Sequence, residues 1–186
     1  AGLRNRTFVV TGAAGGQGLA AALILADAGG HVIATDVADA APALAGTGID
    51  VMVVQSAQRL LPGAARNVGI AATSAPYVGF LACDCLARPG WVAGRLAAHA
   101  SGAGAVSSAV VNHTPWNPFA AAAHYLLFAA RLPGSPPTAR LDYGASYARD
   151  LFARFGGFRN DLRTGEDTEL HERVAGQVPF VFRGDV

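Results

Sequence analysis

Apolar residues recur along this chain in two alternating rhythms. Phe8-Val9-Val10 is a short aromatic and β-branched run that ends in a glycine cluster from Gly12 to Gly18, the pattern of a strand followed by a turn. From Leu19 the period becomes helical, with Leu19, Ala22, Leu23 and Ala26 on one face, until Gly29-Gly30 stops it. His31 to Thr35 predicts a second buried strand ending at Asp36, so the opening segment is a β-α-β unit. Ala38 to Gly48, rich in Ala, Pro and Gly, predicts a short helix and loop, and Val51 to Val54 a third strand.

Pro62-Gly63 then breaks the chain before a helix over Ala64 to Ala72. Tyr77 to Ala82 predicts a fourth strand, Leu86 to Ala100 a helix, and Ala105 to Val111 another strand. The apolar stretch Phe119 to Ala130 lies between two proline-marked loops and predicts a buried helix, or one lying against a membrane surface. It is too short to span a bilayer, which needs roughly 20 residues. A helix over Tyr147 to Phe155, the Gly156-Gly157 turn, a helix from Glu166 to Ala175 and a strand over Pro179 to Phe182 complete the pattern. Alternation of this kind predicts an α/β fold, a mostly parallel sheet with helices on both faces.

Composition narrows the function. With 52% hydrophobic and 15% charged residues the chain suits one packed domain. A net charge of +1 gives no field for nucleic acid. Every one of the 14 basic residues is Arg. Cys83 and Cys85 sit too close for an ordinary bridge and suit a reducing compartment. No signal peptide is visible. The expected location is the cytoplasm, with the inner face of the membrane as the alternative. The five His show no metal-ligand spacing, and His113, His124 and His171 read as ordinary polar positions.

The segment TGAAGGQG, Thr11 to Gly18, follows a strand and opens a helix. Gly12 permits the tight turn, Gly16 the approach of a pyrophosphate, and Gly18 close helix–strand packing. The helix start offers free N–H groups to phosphate. Asp36, eighteen positions past Gly18, stands where an acid binds ribose hydroxyls, favouring NAD over NADP. Residues 1–37 resemble the short-chain dehydrogenase/reductase family. That family's chemistry needs a Tyr with a Lys four residues later. Here the residues four past each Tyr are Leu81, Ala129, Tyr147 and Leu151, so a working dehydrogenase is not expected.

From Gly63 onward, four segments in order resemble inverting family 2 glycosyltransferases of the GT-A type. They are GAARNVGIA (Gly63 to Ala71), YVGFLACDCLARPGW (Tyr77 to Trp91), YGASYARDLFARFGGFR (Tyr143 to Arg159) and GEDTELHERV (Gly165 to Val174). The resemblance implies that Arg66 and Asn67 lie beside a nucleotide sugar. It makes Asp84 the surviving acid of a metal motif whose first Asp is replaced by Ala82. Asp167 becomes the base, with Glu166 as its alternative or orienter. Transfer expels a diphosphate whose charge Mg²⁺ or Mn²⁺ can absorb, and inversion needs a carboxylate on the opposite face. A structural alternative makes Asp167 part of a helix cap with Thr164, and Glu169 with Arg173 a solvated i,i+4 pair.

The expected whole is a single α/β domain of GT-A or Rossmann-like form. Residues 1–49 form a nucleotide-binding β-α-β unit and 50–186 a catalytic part whose relatives continue past Val186. Its partners are a nucleotide sugar and a glycan, lipid or small-molecule acceptor, with peripheral membrane contact and no nucleic acid. The alternatives are an NAD-binding protein and an inactive hybrid of the two families.

Overall fold

The parallel pairing of the first strands follows from the β-α-β unit. In the computed structural model, which describes residues 7–11, 16–27, 31–36, 51–82, 85–134 and 144–184, β1 (Thr7–Thr11), β2 (His31–Asp36) and β3 (Val51–Gln55) form a three-stranded parallel sheet in the order β1-β2-β3. Thr11 pairs with Thr35 and Asp36 with Gln55, so the ends of the strands share one edge. Helix α1 (Gly16–Asp27) connects β1 to β2 and buries Ala22 and Ala26, two of the four positions on its predicted face.

The second sheet runs β4-β6-β5-β7, with β4 (Tyr77–Gly79), β5 (Ala105–Ser108), β6 (Ser146–Ala148) and β7 (Phe180–Arg183). Strand β6 is antiparallel to both β4 and β5, while β7 is parallel to β5. The sheet is therefore mixed, and β6 occupies residues where helical period alone predicts the start of a helix. Tyr147 explains the difference: it is fully buried beneath Phe80, Phe152 and Phe158, and this packing outweighs the local period. The helix begins two residues later. β1 and β4 run close together, so the two sheets abut.

The remaining helices are α2 (Pro62–Ala71), α3 (Trp91–Ala100), α4 (Pro118–Phe128), α5 (Arg149–Phe155) and α6 (Glu166–Val174). The main core joins Val78, Phe80, Tyr147, Leu151, Phe158, Leu170 and Val174. Helix α4 departs from the expectation of burial: none of its residues is buried, and Phe119 and Leu126 are more than four-fifths exposed. Its apolar residues occupy all sides, so no single stripe can face a core. It is held at its ends instead. Asn117 Oδ1 caps the first turn by accepting from the Phe119 and Ala120 N–H groups. A short 3₁₀ turn, Ala129–Arg131, then returns the chain to the segment that follows β5, where Val110 N–H donates to the Arg131 carbonyl. No helix among the described residues is long and apolar enough to cross a membrane.

Arginines fasten these elements to one another through backbone carbonyls. Arg95 donates to Val106 O at 2.7 Å, Arg131 to Ser108 O at 2.7 Å, Arg149 to Ile70 O at 3.0 Å and Arg183 to Gly94 O at 3.0 Å. The planar fork, with five donors, can serve several acceptors from one side chain. Burial and the neighbouring Arg131 pull the Arg95 guanidinium down to about 9, and its face covers the Trp91 ring. Beside it, His99 Nδ1–H donates to Ala103 O and Nε2 accepts from the Ser146 hydroxyl. The carbonyl fixes that tautomer, and burial holds the His99 pKa below its ordinary value.

Candidate active site

Helix α2 supplies the first residues. Pro62 stands at its first turn, where a missing N–H costs nothing. Gly63 follows because a Cβ there would lie 2.0 Å from Arg159 O, so only glycine lets α2 approach the chain that follows Gly156-Gly157. One turn on, Arg66 forms an ion pair with Glu166, a hundred residues away. Its guanidinium carbon lies 5.5 Å from the Phe80 ring centre and 5.2 Å from that of Phe158. The pair is sheltered: the Glu166 side chain is only 6% exposed and that of Arg66 23%.

Asn67 clasps the neighbouring turn from both sides. Its Nδ2 donates to Phe158 O at 2.7 Å and its Oδ1 accepts from Phe158 N–H at 2.9 Å. Gly157 is required beneath it, since a Cβ there would come within 2.4 Å of Asn67 Oδ1. A second fastening comes from Arg173, which donates to Phe155 O, Gly156 O and Gly157 O while holding Glu169 through both carboxylate oxygens. The Glu169–Arg173 pair expected on a solvated face is thus half-buried and anchors α6 to the Gly-Gly-Phe turn. Arg173 also keeps the Glu169 carboxyl below its ordinary pKa.

Gly165 is the N-cap of α6, in the left-handed region at φ 81°, and no side chain caps the helix. Thr164 and Asp167 therefore do not form the capping arrangement that the sequence allowed; Asp167 Oδ1 accepts instead from the adjacent Thr168 N–H at 2.9 Å. Asp167 joins Arg66, Phe80, Gly144, Ala145, Tyr147 and Phe158 around a small open cleft. Strands β4, β5 and β7 all run toward that edge of the sheet, and β6 starts from it. A half-exposed carboxylate beside a buried ion pair and an aromatic wall can accept a proton from a ligand held in the cleft.

The structure thus brings Arg66, Glu166 and Asp167 together and places Asn67 against the Phe158 backbone. Gly16 opens α1 and Gly18 lies in its first turn, while Asp36 ends β2. Gly12 and Asp84 lie outside the described residues. Cys85 N–H donates to Ala82 O at 3.0 Å, linking the residues that flank positions 83 and 84. Among the described residues no three His, Cys, Asp or Glu side chains gather, and Ala82 brings no ligand. The described part of the site does not by itself form a metal centre. Phe80 and Phe158 as the walls around Arg66 were not apparent in the sequence, although the Gly-Gly-Phe turn was their signal.

Residues 31–158, more than half of the chain, match the family model described as glycosyl transferase family 2. The chain belongs to that family. Among solved structures, this family 2 member resembles the mannosyltransferase PcManGT from Pyrobaculum calidifontis in complex with GDP-Man and Mn²⁺. The identity is 18% over 98% of this chain and 56% of that one, with a TM-score of 0.66. It also resembles glucosyl-3-phosphoglycerate synthase from Mycobacterium tuberculosis, in complex with Mn²⁺, UDP and phosphoglyceric acid. There the identity is 18% over 97% and 68% of the two chains, with a TM-score of 0.56. These likenesses establish a GT-A fold. The chain spans little more than half the length of the mannosyltransferase. A putative 2-deoxy-D-gluconate 3-dehydrogenase from Agrobacterium tumefaciens with bound NADP shares 32% identity over only 29% of this chain and 23% of that one, with a TM-score of 0.28. No curated protein matches the chain at a significant level.

Proposed function

We propose that this family 2 member transfers a sugar from a nucleotide-diphosphate donor to an acceptor hydroxyl with inversion. The observation that carries the reading is Asp167 on the wall of the cleft, one residue past the buried Glu166–Arg66 pair. In this reaction Asp167 takes the acceptor's hydroxyl proton as its oxygen bonds to the anomeric carbon. The bond from that carbon to the diphosphate oxygen breaks, and the nucleoside diphosphate leaves with the electron pair. Glu166 orients the first turn of α6. The donor side is assigned to Gly12, Gly16, Gly18 and Asp36 from the first sheet and to the α2 segment around Asn67. Mg²⁺ or Mn²⁺ belongs to this reading as an ion held by the donor's diphosphate, with Asp84 as the chain's own ligand. When bound, it neutralises the departing charge.

The domain organisation in this reading is one α/β unit, with residues 1–49 serving the nucleotide and 50–186 the transfer. The acceptor is a glycan, a lipid or a small hydroxyl compound. The exposed apolar helix α4 is the surface by which the protein would touch a membrane. Sedimentation with phosphatidylcholine–phosphatidylglycerol vesicles tests that contact, and Leu126→Glu should abolish it.

The decisive experiment is a calorimetric comparison of UDP, GDP and NAD, each with and without Mn²⁺, followed by transfer assays with the sugar forms of the nucleotide that binds. Tight binding of a nucleoside diphosphate, strengthened by Mn²⁺ and lost in that strengthening by Asp84→Asn, supports the reading. Binding of NAD alone would replace it with the dinucleotide-binding alternative.

A further inference from the structure

Arg66 faces the cleft with a charge that suits a diphosphate, and the sequence assigns it to the donor. Its partners point elsewhere. The guanidinium is paired with the buried carboxylate of Glu166 and lies between the Phe80 and Phe158 rings. The next residue, Asn67, clasps the Phe158 backbone from both sides. One turn of α2 thus touches three separate segments: the chain leaving β4, the Gly-Gly-Phe turn and the start of α6. Glu166 precedes Asp167, and no side chain caps α6. The Arg66–Glu166 pair ties the first turn of α6 to α2.

We infer that Arg66 is a positioning residue for the acid pair, acting on transfer through Glu166 rather than by holding the donor. This rests on the glycosyltransferase reading above and deepens it. A guanidinium whose charge is already matched by a buried carboxylate has little left for a second anion. Its removal displaces the turn that carries Asp167, and displacements near 1 Å cost about 10²-fold in rate.

The test uses the whole chain with Arg66→Met, Arg66→Lys and Glu166→Gln, measuring transfer rate per folded molecule, donor KM, and calorimetric affinity for UDP and GDP. Arg66→Met should lower kcat about 10²-fold while donor KM and nucleotide affinity stay within about threefold. Arg66→Lys, which keeps the charge and loses the planar fork, should recover about tenfold of that loss. In the double variant Arg66→Met/Glu166→Gln, kcat should match that of Glu166→Gln alone, because the two substitutions break one interaction. Should Arg66→Met fail to fold because it strands a buried carboxylate, the double variant carries the same readouts. A tenfold or larger loss of nucleotide affinity with kcat kept would make Arg66 a donor ligand and overturn the inference. A lower melting temperature with kcat and KM unchanged overturns it too, leaving Arg66 a purely structural role. Asp167→Asn run in parallel separates the two levels. If that variant keeps full turnover, the assignment of the base fails, whatever Arg66 does.

Discussion

The two sheets of this protein solve different problems. The first, β1-β2-β3, is parallel, regular in register and built from consecutive strands with a helix between the first two. The second, β4-β6-β5-β7, pairs strands far apart in sequence and reverses one of them. Arg66, Phe80, Gly144, Ala145, Tyr147, Phe158 and Asp167, which line the cleft, come from the second sheet and the helices and turns around it. A local β-α-β unit is a general nucleotide cradle, and different families can share it. The cleft instead depends on segments a hundred residues apart meeting in one place.

The largest expected effect tests that division at its centre. Asp167→Asn keeps the shape of the side chain and the bond to the Thr168 N–H, yet cannot accept a proton. Transfer should fall on the order of 10²–10⁴-fold, with nucleotide affinity and melting temperature nearly unchanged. Retained activity with a lowered melting temperature would make Asp167 a structural residue and remove the chemistry from the second sheet.

Next in size is the close approach of α2 to the Gly-Gly-Phe turn. Gly63→Ala forces a Cβ against Arg159 O and should cost roughly 1–3 kcal/mol. The melting temperature would then drop by about 2–4 °C per kcal/mol. A thermal melt with no change would mean that α2 and the turn are not in contact.

A smaller effect is a dependence on acidity carried by His99 and Glu169. His99 has a folded pKa below its unfolded value, so below about 6.5 the unfolded chain binds a proton that the folded chain refuses. Stability therefore falls as pH drops through that value. Glu169, held below its ordinary pKa by Arg173, adds a further loss below about 4.5, as its contribution disappears in acid. Melting temperatures from pH 7.5 to about 3 should decline in these two stages, and His99→Gln should flatten the first. A first stage that persists in His99→Gln would place it elsewhere.

The smallest effect concerns the first sheet. Gly16→Val at the start of α1 should abolish any stabilisation by NAD, by blocking phosphate approach. No shift with NAD in the parent would leave the glycine loop without a dinucleotide role and widen the contrast between the halves.

Much of this was legible in the sequence, for reasons that differ by region. Strands β1, β2 and β3 and helix α1 follow from local period and glycine punctuation, because their partners are near in sequence. Glu166 and Asp167 were found through a motif, but no local signal shows that Glu166 is buried against Arg66. Strand β6 was hidden because Tyr147 fits a helical pattern and is drawn into a strand by aromatic neighbours from three other segments. Helix α4 misled in the opposite sense: an apolar run reads as core, yet its apolar residues surround the axis and none is buried. Asp84 and Gly12 lie outside the described residues, so the structure adds nothing to what the sequence says of them.

The arginine fastenings have a consequence for how the protein responds to reagents. These 186 residues contain no lysine, so no side chain offers a primary amine to acylation, reductive methylation or amine-directed cross-linking. Arginine-selective dicarbonyls meet the opposite situation. They can reach the partly exposed Arg149, Arg173 and Arg183, whose guanidinium donors join carbonyls of other elements, while Arg95 and Arg131 lie buried. The absence of lysine closes the fold to one class of covalent modification, and its outer arginine seams stay open to another.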